Sequence, residues 1–283
     1  MRQTSSVLFI AVDSLIPIRG KSIPGLDEFT AALDHQGTPA VWLTSRSRLQ
    51  VDEPRRKLGH RHPFIAEDGC VACLPEDYFH LRPESNLSKS QKASTVRLGR
   101  FTCIPVAASL SAATEALETL SADTGVPVVP LRSLSLRELV QNTGLPEREA
   151  ELARQRDFDE VFFLAGVSDQ DVQRFLAEAK NRKLQLRQHG VFWSAAIGAN
   201  TQHCIRDLSK LYDRALRQHA HIVGIATEDL SPALFPYCER NILLAGRRQN
   251  IDSADAHHPK TRRLELRAPD IWEQVLEAIV MKS

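Results

Sequence analysis

Along the first third of the chain, unbroken apolar runs alternate with stretches of helical spacing. Val7-Leu8-Phe9-Ile10-Ala11-Val12 has no polar break, the pattern of a parallel strand buried on both faces. Ile23 to Gln36 carries Leu26, Phe29, Ala32 and Leu33 on one stripe and is closed by Gly37, which predicts a helix. Pro39 to Leu43 reads as a second strand, Arg46 to Leu58 as a helix ended by Gly59, and Pro63 to Ala66 as a third short strand. This βαβαβ order predicts a doubly wound parallel sheet. The chain turns polar from Ser85 to Thr95, as a crossing linker does. A second, α+β unit follows, with strands near Phe101 to Val106, Glu160 to Leu164 and Val191 to Ile197. Its helices fall near Ser109 to Ala122, Ser135 to Asn142, Glu147 to Arg156 and Asp169 to Asn181. A helical pattern from Ile205 to His219 and apolar runs at His221 to Ile225 and Asn241 to Ala245 return to the first sheet, and Ile271 to Val280 closes the chain as an amphipathic helix. Gly246 to Thr261 reads as a polar loop, in which His257 and His258 are expected on the solvated surface, metal binding being the rarer use of such a pair.

Composition narrows the partners. With 42% hydrophobic residues in 283, the chain can bury a sizeable core. Lys and Arg number 36 against 35 Asp and Glu, a formal charge of +1, so no global field favours nucleic acid or an anionic membrane, and neither is expected as a partner. The first apolar run is too short to span a bilayer and has no small-residue cleavage site, so a cytoplasmic protein is expected. Cys70 and Cys73 have CxxC spacing but no second ligand pair nearby, and ordinary reduced thiols are expected.

Several segments are more specific. Val41-Trp42-Leu43-Thr44-Ser45-Arg46, then Pro63-Phe64-Ile65-Ala66-Glu67-Asp68-Gly69, then Tyr78-Phe79 occur in that order. Further on come Thr143-Gly144-Leu145, Ala150, Ala153, Arg154, Arg156, Asp159 and Glu160, and finally Arg267-Ala268-Pro269-Asp270-Ile271-Trp272. In order and spacing these resemble the haloacid-dehalogenase (HAD) phosphatases with a large α/β cap, and within them the mannosyl-3-phosphoglycerate phosphatases, whose corresponding segments include PFIxENG, TGL, R-x-x-DE and PGPxGW. The resemblance implies a Rossmann-like core over residues 1–84 and 198–283 and an inserted α/β cap over 85–197.

The chemistry that the resemblance implies is incomplete. Such a phosphatase attacks phosphorus with the first aspartate of DxDGT, while the second serves as acid and base. Here Asp13 stands at the acid/base position, but Ala11 stands at the nucleophile, and a methyl group neither attacks phosphorus nor holds a cation. The lysine of the third motif is replaced within Asn200-Thr201-Gln202, and Lys210, further along that helix, is expected to be solvated. In place of GDSxxD the chain reads Ala226-Thr227-Glu228-Asp229-Leu230-Ser231, putting Thr227 and Ser231 at the acidic positions. Mg²⁺ requires hard oxygen ligands, usually carboxylates, and only Asp13 and, with a local shift, Glu228 or Asp229 remain.

Binding equipment survives. Thr44, Ser45 and Arg46 match the phosphate-binding second motif, although Thr44 and Ser45 fit a helix N-cap equally well. Arg154, Arg156 and Glu160 match residues that the family places near its substrate, or else pair along a surface helix, Arg156 with Glu160 at i, i+4. The family's GGRF reads His189-Gly190-Val191-Phe192, losing the arginine. The leading expectation is a non-catalytic or strongly impaired phosphatase homologue that needs no cofactor and keeps its cleft for a phosphorylated or glycosylated small molecule, or for a protein partner. The competing expectation is a Mg²⁺-dependent hydrolase of mannosyl-3-phosphoglycerate or a similar sugar phosphate, built on Asp13 and Asp229.

Overall fold

The computed structural model describes residues 6–18, 22–79, 95–246 and 260–280. The large sheet is built first from β1 (Ser6–Ala11), β2 (Ala40–Leu43), β3 (Phe64–Ala66), β11 (His221–Thr227), β12 (Arg240–Ala245) and β13 (Thr261–Glu265). These six run parallel in the order β13-β12-β11-β1-β2-β3. β4 (Val71–Pro75), β6 (Phe101–Pro105) and β5 (Val96–Leu98) then extend the sheet antiparallel beyond β3.

The unbroken apolar run of β1 is explained by its place at the centre. Val7, Phe9 and Ala11 join one core, with Cys204, Leu208 and Tyr212 of helix α7 (Thr201–Leu216). Leu8, Ile10 and Val12 join the other, with Phe29 of α1 (Leu26–His35) and Trp272 of α9 (Ile271–Val280), whose rings stack at 4.6 Å. Helix α2 (Arg48–Lys57) connects β2 to β3.

A second, four-stranded antiparallel sheet has the order β7 (Val128–Pro130), β8 (Glu160–Leu164), β10 (Phe192–Ile197), β9 (Leu184–His189). Helices α3 (Leu110–Thr124) and α6 (Asp169–Asn181) bring Leu117, Leu120 and Phe175 against Phe162 and Ala195 of the strands. Helices α4 (Leu136–Thr143) and α5 (Glu147–Arg154) pack Leu139 and Ala150 beside Val161, Phe163 and Phe192. The expected architecture, a mostly parallel sheet with an α+β insert, is observed.

The strand Phe101 to Val106, expected in the insert, is instead β6 of the large sheet, hydrogen-bonded to β4. Its alternation of buried Phe101 and Cys103 with half-buried Thr102 suits an edge region, and the polar composition before it conceals the continuity. Strands β4, β5, β7, β9 and β13 carry signals too short or too polar to be predicted. The linker from Ser85 through 94 and the histidines His257 and His258 lie outside the described residues. Cys70 and Cys73 are buried, burial pushes both thiols up, and Cys73 Sγ lies 3.1 Å from Cys103 Sγ. No described helix is long and apolar enough to cross a membrane.

Candidate functional site

A cleft opens where β1, β2, β3 and β11 end and the small sheet's β9 reaches over them. Ala11, Asp13, Thr44, Ser45, Asp68, Gly69 and Thr201 line it from below, and Arg187 and His189 from above. Its cavity volume is only about 50 Å³, space for a water or two and far below the hundreds of Å³ of ordinary metabolite sites.

The floor is a carboxylate held by the second motif. Thr44 Oγ1 donates to Asp13 Oδ1 in a short contact, Ser45 N donates to Oδ2 at 2.8 Å, and Ser45 Oγ donates to the same oxygen at 2.7 Å. Arg46 Nε lies 3.6 Å from Oδ1, and its Nη2 donates to the carbonyls of Asp13, at 3.4 Å, and of Ile16. Burial lowers the Arg46 guanidinium from its ordinary value, and the Asp13 charge counters that. Thr44 and Ser45 do not cap the following helix: Ser47 does, its Oγ accepting from Gln50 N and its own N–H donating to Gln50 Oε1, which completes a capping box. The donors that would receive a phosphate therefore already hold an anion, the carboxylate two residues beyond Ala11.

The PFIAEDG segment supplies the hinge-side wall. Glu67 and Asp68 both adopt left-handed backbone, with φ of 52° and 54°, and Gly69 follows at 88°. A Cβ on Gly69 would meet the Thr201 backbone at 2.6 Å, so only glycine lets α7 start this close. The turn aims Glu67 inward, where its carboxylate accepts from the backbone N–H groups of Asp157, Phe158 and Asp159 at 3.0, 2.8 and 3.1 Å. Burial pushes Glu67 up to about 8, Arg156 opposing and Asp159 reinforcing the shift. Asp68 points the other way. It accepts from His189 Nε2 at 2.6 Å and Ser194 Oγ at 3.2 Å, with Arg187 Nη1 3.7 Å from its second oxygen. Burial pulls His189 down, but the hydrogen bond and charge of Asp68 outweigh it and hold the imidazole above its ordinary value. Burial likewise raises Asp68, and His189, Arg187 and Arg156 overcome it, holding the carboxyl below its ordinary value.

The other expected site residues are not in the cleft lining. Arg156 is buried, forms a bidentate pair with Asp159 at 2.6 and 2.7 Å, and donates to Ser45 O at 2.7 Å. It ties the two sheets together, and its i, i+4 pair with Glu160 does not form. Glu160 is buried against Arg132 at 2.7 Å and Thr114 at 2.8 Å. Arg154 lies on Glu151 at 2.5 Å and the Leu134 carbonyl at 3.1 Å. Val191 is 72% exposed in the turn between β9 and β10, and Lys210 is exposed, 3.9 Å from Asp207.

The residues present do not fit Mg²⁺. Both Asp13 oxygens accept protein donors, as do both oxygens of Asp229, from Ser14 at 3.1 Å and Thr227 at 2.5 Å. Thr201, expected at the lysine position, has a buried hydroxyl 3.4 Å from the Asp68 carbonyl. Ser231 turns to the Glu228 carbonyl at 3.0 Å, and Glu228 to Arg263 at 2.8 Å. Among the described residues, the one group of three such ligands, His219, His221 and Glu239, sits where β11 and β12 begin, at the opposite end of the sheet.

The fold is that of the HAD phosphatases. A phosphatase of that superfamily from Bacteroides thetaiotaomicron superposes with a TM-score of 0.63 at 12% identity, covering 98% of this chain and 96% of its own. A Thermoplasma acidophilum protein gives 0.65 at 14% identity over 99% and 100%, and the sucrose-phosphatase from Synechocystis gives 0.56 at 11% over 99% and 100%. By sequence, the chain is similar to the mannosyl-3-phosphoglycerate phosphatases, as its motifs predict. It is 25% identical over 207 residues to the glucosyl-3-phosphoglycerate/mannosyl-3-phosphoglycerate phosphatase of Methanococcoides burtonii, spanning 73% of this chain and 70% of the relative. The mannosyl-3-phosphoglycerate phosphatase of Pyrococcus furiosus is 26% identical over 161 residues, 56% of this chain and 60% of its own. No protein-family model matches the chain.

Proposed function

We propose that this protein is a HAD phosphatase homologue that has lost, or retains only weakly, the hydrolytic step, and that uses its cleft to bind a phosphorylated or glycosylated small molecule. One observation carries this reading: β1 ends in the Ala11 methyl, while the carboxylate of Asp13 occupies the Thr44 and Ser45 donors. Loss of a nucleophile lowers rates by roughly 10⁴ to 10⁶, and groups that act as a unit do not compensate one another. The Mg²⁺ donor set is depleted at the same time, so what remains is positioning and charge: Arg46, Arg187 and His189 against Asp13 and Asp68. That balance suits an anion entering once Asp13 or Asp68 yields its partners. A relative named for mannosyl-3-phosphoglycerate makes a glycosylated phosphoglycerate the first ligand to examine.

The test measures phosphate release from an aryl phosphate and from mannosyl-3-phosphoglycerate, with and without Mg²⁺, by the full chain and by Asp13→Ala. We expect no turnover above the buffer rate, together with a mannosyl-3-phosphoglycerate-dependent rise in melting temperature. Mg²⁺-dependent turnover that Asp13→Ala abolishes would establish a working hydrolase and overturn the proposal.

A further inference from the structure

We propose a second anion site, for a small phosphorylated metabolite, at the end of the large sheet opposite the cleft. A cavity of about 380 Å³, in the size range of small-ligand pockets, is lined by Arg55, Arg56, Arg61, Arg100, His60 and Phe101, with one carboxylate, Glu76, among them. These residues come from the end of α2, the turn into β3 and the start of β6, all at the sheet edge away from Ala11.

The reason to assign an anion is Arg55. Arg55 is 3% exposed, yet among the described residues no carboxylate lies within ion-pair distance of it. Nε donates to His60 Nδ1 at 3.0 Å and Nη2 to the His62 carbonyl at 2.7 Å, and Nη1 has no hydrogen-bond partner among the described residues. The guanidinium is seated over the rings of Phe64 and Phe101, at 4.5 and 5.1 Å from their centroids. His60 cannot share the charge: its Nε2 meets the Ala40 carbonyl at 2.6 Å, its Nδ1 accepts from Arg55, and burial holds it neutral. The Asp52 charge acts on Arg55 only from beyond ion-pair distance. A buried cation with no carboxylate in direct contact is costly, and a bound anion lowers that cost.

The surroundings agree in sign. Asp52 is shared between Arg100 and Arg56, and Glu76 pairs with Arg97 at 2.7 Å. Arg61 is exposed at the rim and enters no ion pair among the described residues. Five guanidiniums thus face two carboxylates, which leaves room for a ligand with two or three negative charges, the range of a phosphate monoester or a pyrophosphate. Arginine forks match phosphate oxygens in geometry as well as charge.

Pyrophosphate is the probe, titrated calorimetrically into the full chain at low ionic strength. The comparison proteins are Arg61→Gln and Arg100→Gln, both exposed positions, and the cleft variant Ser45→Ala. We expect binding that weakens about 10-fold in each arginine variant, one charge-assisted hydrogen bond apiece, and is unchanged in Ser45→Ala. Because the cleft variant is included, failure here is distinguishable from failure of the cleft reading. Absence of binding at 10 mM pyrophosphate, or binding that follows Ser45 and ignores both arginines, overturns the proposal.

Discussion

Replacing Asp13 by alanine separates a carboxylate that acts on substrate from one that occupies the substrate's place. The side chain is 20% exposed; it accepts from Thr44 and twice from Ser45, and forms an ion pair with Arg46 across 3.6 Å. A phosphate on the same donors would lie within ~4 Å of the carboxylate, a repulsion of about 4 kcal/mol at an effective dielectric of ~20. Partial exposure reduces this, and we take at least ~1.4 kcal/mol, about a 10-fold change in affinity, as the expected gain. Removing the carboxylate also leaves Arg46 buried beside an empty cradle, so Asp13→Ala should be less stable by about 2 kcal/mol in anion-free buffer. Phosphate at ~100 times its dissociation constant returns about 2.7 kcal/mol. Isothermal titration of inorganic phosphate into both proteins, with urea denaturation at zero and saturating phosphate, measures each quantity. Any binding at the arginine pocket is common to both proteins, so their difference isolates the cleft, and the double variant Asp13→Ala/Ser45→Ala should lose the gain. Weaker phosphate binding by Asp13→Ala than by the parent would refute the reasoning.

Glu67→Ala leaves the amides of Asp157, Phe158 and Asp159 without their acceptor and should cost about 3–6 kcal/mol by urea denaturation, with Glu67→Gln intermediate; a loss under 1 kcal/mol would mean that the three bonds do not hold the two sheets together. Because Glu67 is raised to about 8 from an ordinary 4.5, the folded state holds a proton that the unfolded state has lost, so this contribution is complete below about 4.5 and disappears as pH rises through about 8. His189, also raised, acts with the same sign above its ordinary 6.5. Stability should therefore fall by about 1 kcal/mol between pH 7 and 8, less in Glu67→Gln, when followed by thermal melts at constant ionic strength; a rise over that interval contradicts the assignment. Ala11→Asp should not restore turnover of an aryl phosphate, because Thr201 still replaces the lysine and Asp13 still holds the donors, and it should destabilise by about 2 kcal/mol by burying a carboxylate at a 5% exposed position; measurable Mg²⁺-dependent release would show that a single substitution is enough.

The parallel half of the large sheet is legible because burial on both faces writes itself as unbroken apolar sequence, as at Val7 to Val12, and helices with one buried stripe are bounded to within a few residues. Asp169–Asn181 and Ile271–Val280 are recovered at both ends. The antiparallel extension is less visible. β5 carries Val96, Arg97 and Leu98, none of them buried, and β9 alternates Leu184 and Leu186 with Gln185 and Arg187, which a helix reading tolerates equally well. Assignment of β6 to the insert follows from the same weakness: composition marks where polarity changes, not which strand supplies the hydrogen bonds.

The site was legible only in part. Ala11, Thr201 and Thr227 stand where the resemblance implies catalytic groups, but nothing local says that Asp13 turns onto Thr44 and Ser45, since that depends on two strands meeting. Arg187 gives no motif signal at all. Asp68 and His189 do give one, of an unusual kind. Each is a departure from the pattern that its segment resembles, Asp for the asparagine of PFIxENG and His for the first glycine of GGRF, and the two departures lie 121 positions apart yet meet at 2.6 Å. Without Asp68, His189 would lose its carboxylate, whereas Asp68 without His189 would keep Ser194 and the Arg187 charge. Together they form an ion pair that joins the β9 edge to the floor of the cleft. If this pair restricts the cleft, Asp68→Asn with His189→Gly should open it, measured calorimetrically as a tighter dissociation constant for a sugar phosphate than in the parent; equal or weaker binding would refute the reasoning.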